Sequence, residues 1–132
     1  MATSRERTSP KPTAAELEIL GILWERGPAT VRDVHSILNA RRETGYTTVL
    51  KLMQIMTAKG IVRREESSRA HLYEAVQPRV ETQKQLLVDL MEKAFSGSPA
   101  MLVQQALSAR KASAKELAEI RRILDAYQGG KK

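Results

Sequence analysis

A chain of 132 residues has room for one ordinary domain, or for a small domain with an appendage. Its 22 basic and 15 acidic residues leave a formal net charge of +7, spread as 12 basic against 9 acidic residues up to Val76 and 10 against 6 beyond it. The absence of cysteine excludes disulfides, thiolate metal sites and thiol nucleophiles, and His35 and His71 alone do not make a histidine-rich metal site.

No apolar run approaches the ~20 residues that a membrane span needs. The first seven residues also lack the apolar core of a signal peptide. The expectation is a soluble, cytoplasmic protein with no membrane insertion, no metal, no cofactor and no evident small-molecule ligand. The basic excess fits a nucleic-acid partner, although a merely soluble basic protein carries the same balance.

Residues 1–12 are polar, contain Pro10 and Pro12, and read as a flexible arm. Thr13-Ala14-Ala15-Glu16 is a capping box that opens a helix. Leu17, Leu20, Leu23 and Trp24 share one face of it, and Gly27-Pro28 stops it. Ile22 falls outside that stripe, either exposed or set against a second surface. Thr30, with Asp33 three residues later, caps a second short helix whose buried side is Val31, Val34 and Leu38. The polar segment from Asn39 to Gly45 then leads into a third helix, which ends at Lys59 and the stop glycine Gly60.

This third helix has two unlike faces. Val49, Leu52, Met53 and Met56 recur at helical spacing and form a buried stripe. Thr47, Lys51, Gln54 and Ala58 line the opposite side and include no acid. Such a face suits a DNA major groove, where base edges offer donors, acceptors and thymine methyls. Taken alone, it reads more readily as the solvated side of an ordinary amphipathic helix.

After Gly60 the period turns extended. Ile61–Arg64 and His71–Val76 read as strands joined by the polar stretch from Glu65 to Ala70. Helix, helix, helix, hairpin is the order of a winged helix-turn-helix, assigned to residues 13–77, and four successive elements agree on it. His35 and His71 read as half-buried packing residues, and Trp24 and Tyr73 as core-facing.

Residues 78–128 read as three short helices, followed by a tail at 129–132. Val80, Leu87, Leu90, Met91 and Ala94 line the first. Met101, Leu102, Val103, Ala106 and Leu107 are the apolar members of the second. Leu117, Ile120, Leu124 and Tyr127 form a narrow seam on the third. So small a unit rarely closes a core by itself, and oligomerisation is a common remedy. A dimer is expected; the alternative is that these helices pack back on the winged helix of the same chain. The fold class is therefore mainly α with a small β-hairpin: an N-terminal winged helix-turn-helix and a C-terminal three-helix dimerisation region.

On this frame Lys51 reaches a guanine edge or a phosphate, Gln54 an adenine, and Thr47 a thymine. Tyr46 and Thr48, at the helix start, set register on phosphates. Thr30, Arg32, Arg41 and Arg42 are further candidate DNA-binding residues. In the wing, Arg63, Arg64, Ser67, Ser68 and Arg69 are candidates for the flanking backbone or minor groove. An enzyme is not expected, because no phosphate loop, metal-ligand spacing or nucleophile with a plausible base is present.

Thr13–Leu20 with Trp24 resembles the first helix of the penicillinase and methicillin-resistance repressors, the BlaI/MecI/CopY family. Tyr46-Thr47-Thr48-Val49, Lys59-Gly60 and Arg69-Ala70-His71-Leu72-Tyr73 are similar to that family's recognition helix, helix end and wing. The resemblance implies a homodimeric repressor bound to a pseudo-palindromic operator with TACA and TGTA half-sites. In the antibiotic-responsive branch it implies a membrane sensor-protease as partner and cleavage at an Asn-Phe bond. The corresponding bond here is Gln105-Ala106, a departure from that pattern. The copper-responsive branch carries a cysteine motif, which this chain lacks. Two other readings stand beside the repressor: a winged-helix protein-interaction module and a sequence-neutral basic architectural DNA-binding protein.

Overall fold

The computed structural model describes residues 11–66 and 69–130. The element order is α1 (Ala14–Arg26), α2 (Val31–Arg41), α3 (Tyr46–Lys59), β1 (Val62–Glu65), β2 (Leu72–Ala75), α4 (Arg79–Ala94), α5 (Pro99–Ala109) and α6 (Ala114–Gly130). This is a winged helix followed by a helical region. The flexible-arm assignment falls almost wholly on residues outside the described ones, as do Ser67 and Ser68 of the wing.

Local chemistry sets the helix boundaries. The Glu16 backbone N–H donates to Thr13 Oγ1 at 3.2 Å and the Thr13 N–H to Glu16 Oε1 at 3.0 Å, closing the capping box of α1. Thr30 and Asp33 repeat the arrangement on α2, with both bonds at 3.1 Å. Each cap satisfies amide donors that a helix leaves open at its start. At its other end α3 stops because Gly60 turns left-handed (φ 81°) while its N–H returns to the last turn. A side chain at that φ is strained, so glycine belongs there.

The chain divides into two compact units, one extending to Leu86 and the other beginning at Leu87. The core of the first joins Ile19, Leu20, Ile22 and Leu23 of α1 to Val34 and Leu38 of α2, Val49, Met53 and Met56 of α3, and Val62 and Tyr73 of the hairpin. Here the sequence expectation needs correction. Ile22 is 3% exposed and Ile19 fully buried, whereas Leu17 and Trp24 are only half-buried. Packing partners flank α1 on two sides, so its buried surface is wider than a single stripe.

The hairpin pairs antiparallel, with Val62 opposite Ala75 and Arg64 opposite Tyr73. β1 lies one residue beyond its expected span and β2 is one residue shorter at each end, and His71 is exposed and precedes β2 instead of packing within it. A third segment joins the sheet through Ala29, whose N–H donates to Tyr73 O at 3.0 Å while Tyr73 N–H donates to Ala29 O at 2.8 Å. This bridge ties the start of α2 to the wing. Thr30→Ala, next to the bridge, is expected to cost about 1 kcal/mol in a urea titration, the usual worth of an N-cap hydroxyl.

The second unit has a different character. From Leu87 onward no described side chain is buried. Leu87, Val88, Leu90, Met101, Val103, Leu107, Ile123, Leu124 and Tyr127 are all exposed large hydrophobic residues in the isolated chain. Met91, Leu102, Leu117 and Ile120 are half-buried, while Ala94 and Ala106 are exposed. Ser98 caps α5 ahead of Pro99, and Ser113 Oγ accepts from the Glu116 N–H of α6 at 3.0 Å. The helices are well started, yet they enclose nothing.

Candidate nucleic-acid interface

The exposed side of α3 is the face that the periodicity selects. Thr47, Lys51, Gln54 and Ala58 are all exposed, while Val49, Met53 and Met56 behind them are fully buried. The core thus fixes the rotation of the helix about its axis and leaves the polar face outward. Ile55, also exposed, flanks this face; it was not among the expected site residues, because its position belongs to neither stripe.

α3 begins at Gly45 with no side-chain cap, although α1, α2 and α5 each have one. A Cβ at Gly45 meets only Thr48 Oγ1, at 3.6 Å, so space does not forbid a capping residue. The first-turn N–H groups therefore keep their partial positive charge unclaimed by a side chain, which favours a nearby anion.

Several bonds hold that first turn in place. The Thr44 N–H donates to Asn39 Oδ1 at 2.9 Å and its hydroxyl to Arg42 O at 2.8 Å. His35 Nε2 lies 2.8 Å from Thr44 O. A carbonyl only accepts, so Nε2 carries the proton and donates. The same imidazole stands edge-on to the Tyr46 ring, centroids 5.6 Å apart at 78°. His35 thus does more than fill space: it joins α2 to the start of α3.

Beside this face a cleft of about 560 Å³ runs between the start of α2, α3 and the wing. Arg32, Arg64, Arg69 and His71 border it together with Tyr46 and Gln54, and no carboxylate is among its lining residues. The structure thus brings residues from three predicted groups (α2, α3 and wing) to one concave, cationic surface.

The cations differ in whether they are already engaged. Among the described residues, Arg32, Lys51 and Arg69 make no ion pair. Arg63 Nε donates to Glu74 Oε2 across the strands at 2.8 Å, and Arg64 forks onto Glu66. That bond to Arg64 holds the Glu66 carboxyl below the usual glutamate range, so the wing pair stays ionised. Arg41 and Arg42 both turn to Glu18 on α1. The Thr30 hydroxyl is taken up by its cap. Nothing in the sequence pattern distinguishes the engaged cations from the free ones, since their partners lie up to 24 residues away.

Comparison with known proteins gives one family: the one described as Penicillinase repressor matches residues 12–126. The "Transcriptional regulator BlaI" of Mycobacterium tuberculosis (strain ATCC 25618 / H37Rv) is 40% identical over 80 residues, 60% of this chain and 58% of its own length. The BlaI of strain CDC 1551 / Oshkosh gives the same figures. An "Uncharacterized 16.5 kDa protein in ptsI 3'region" of Latilactobacillus sakei is 28% identical over 80 residues, 61% of this chain and 55% of its own. The match spans somewhat over half the length of these curated relatives.

Proposed function

The chain belongs to the penicillinase repressor family, and from that premise we propose that it is a homodimeric transcriptional repressor acting on a pseudo-palindromic operator of TACA/TGTA type. The observation that carries the reading is the exposed, acid-free face of α3 beside a cleft bordered by arginines. The relatives named as transcriptional regulators match over part of their length and support the same role.

In this reading α3 enters the major groove. Lys51, Gln54 and Thr47 meet base edges, and the uncapped first turn with Tyr46 and Thr48 meets phosphate. Arg32 and Arg69, which make no ion pair among the described residues, supply counter-charge to the flanking backbone. The chain's own groups bind and orient DNA; none is assigned a catalytic step.

The second unit supplies the dimer. Its side chains are left unburied in a single chain, and covering them with a second copy gives the helices the core that they lack. Two recognition helices on a two-fold axis then meet two half-sites of one operator. Derepression follows from loosening that dimer, whether a sensor-protease or another signal does it. Gln105 and Ala106 lie within α5 and are exposed, so cleavage between them requires α5 to unwind locally.

Gel shifts of a palindromic TACA/TGTA fragment against random duplex of equal length test the assignment across a salt series. A clear preference for the palindrome is expected, and Lys51→Ala is expected to weaken it roughly 10- to 100-fold, the worth of a good base contact. Equal affinity for every duplex supports the architectural reading instead. No binding at all supports the interaction module.

A further inference from the structure

The corner between α2 and α3 has one tie that leaves the helix-turn-helix itself. Glu18, on α1, accepts from Arg42 through two bonds: Nη2 to Oε1 at 2.6 Å and Nη1 to Oε2 at 3.2 Å. Arg41 Nη1 adds a third at 3.3 Å. A two-bond fork fixes the plane of a guanidinium as well as attracting its charge. The Glu18 side chain is 24% exposed against 46% for Arg41 and 60% for Arg42, so the carboxylate is the anchored end and the arginines come to it.

We propose that Glu18 is a positioning residue for operator recognition: it holds the Arg41–Arg42 corner against α1, fixing where α3 starts, and it withholds two cations from the DNA backbone. The proposal rests on the DNA-binding reading above. Its logic is a difference between two affinities. Reading bases requires Thr47, Lys51 and Gln54 at a set depth and register, whereas a free arginine strengthens binding to any duplex. One carboxylate therefore supports the specific complex and weakens the general one. The carboxyl is kept ionised for this role, because the hydrogen bond from Arg42, aided by Arg41, outweighs partial burial and lowers its pKa.

The corner is otherwise self-braced. Thr44 bonds to Asn39 and Arg42, and His35 bonds to Thr44, without help from Glu18. Glu18→Gln keeps the side chain's size and removes its charge, so the fold has no reason to collapse.

The test measures binding of the full chain to the palindromic fragment and to random duplex over a salt series. In Glu18→Gln, affinity for random duplex is expected to rise about threefold to tenfold, with a log–log salt slope steeper by roughly 1 to 2, as one or two further phosphates are neutralised. The operator-to-random ratio is expected to fall by at least about fivefold. Arg42→Ala alone leaves the slope unchanged, the double variant Glu18→Gln/Arg42→Ala loses about half of the added slope with Arg41 still released, and the charge-preserving Glu18→Asp keeps the ratio. A purely structural Glu18 lowers Tm and both affinities together, with ratio and slope intact; that result overturns the proposal. So does a shallower slope for Arg42→Ala in the otherwise wild-type chain. If the wild-type protein itself does not prefer the palindrome, the repressor reading falls and takes this inference with it.

Discussion

Lys59→Met is expected to destabilise the winged helix by about 3 kcal/mol at neutral pH, the low end for stranding one partner of a buried pair, since Glu16 is buried but Lys59 is only half-buried. Lys59 Nζ lies 2.6 Å from Glu16 Oε1, and the Glu16 side chain is only 3% exposed. Removing the ammonium leaves a buried carboxylate that still accepts from the Thr13 amide. Burial by itself raises the Glu16 pKa. The Lys59 hydrogen bond and the bonds from Thr13 outweigh it and hold the carboxyl below its ordinary value of 4.5.

The sign of the pH effect follows. A folded-state pKa below the unfolded one means that Glu16 contributes stability above pH 4.5, which is lost as pH falls through the lowered value. In Lys59→Met burial is opposed by the Thr13 bonds alone, so the carboxyl moves up from its wild-type position. Chemical denaturation at pH 7 and pH 4 is expected to show the gap between wild type and variant narrowing at the lower pH, as Glu16 takes up a proton. Glu16→Gln combined with Lys59→Met is expected to recover a large part of the loss, because glutamine still completes a capping box. A gap independent of pH counts against a charged Glu16 as its origin.

Leu124→Asp is expected to produce a monomer and to reduce affinity for the palindrome by about 10²- to 10⁴-fold, the range that linking two binding modules contributes. Binding to a single half-site should change little, since no group on α3 or the wing is touched. Leu124 is 59% exposed and Tyr127 75% exposed in the isolated chain, so an aspartate there leaves the chain's own packing alone. Analytical ultracentrifugation with gel shifts reads both quantities. Unchanged sedimentation together with unchanged affinity removes α6 from the interface.

What could be read from the sequence was what is local. Thr13 to Glu16 and Thr30 to Asp33 are three-residue relations; the capping box at Thr13 and the cap at Thr30 both form, the latter with a reciprocal bond from its own N–H to Asp33. The two faces of α3 follow from a period of 3.6 and are found, except that Leu52, expected in the buried stripe, lies at its edge and is only half-buried. Relations that depend on tertiary placement left no such trace. Ile22 is buried because α1 has neighbours on two sides, which a single stripe does not encode. Ala29 pairs with Tyr73 through main-chain atoms, and side-chain periodicity is blind to that. Above all, a net charge of +7 counts cations without saying which are engaged. Arg41 and Arg42 read as candidate DNA-binding residues of a polar segment, yet Glu18, more than twenty residues earlier, holds both.

The start of α4 is fastened to α1. The Trp24 indole N–H donates to Gln77 O at 2.9 Å, the Arg79 guanidinium lies 5.6 Å from the centre of the Trp24 ring, and Arg79 also reaches Glu25 at 3.6 Å. Thr82, one turn further on, is buried. Trp24 is the sole tryptophan of the chain. Its fluorescence is therefore a built-in optical gauge of this one attachment, needing no dye or label.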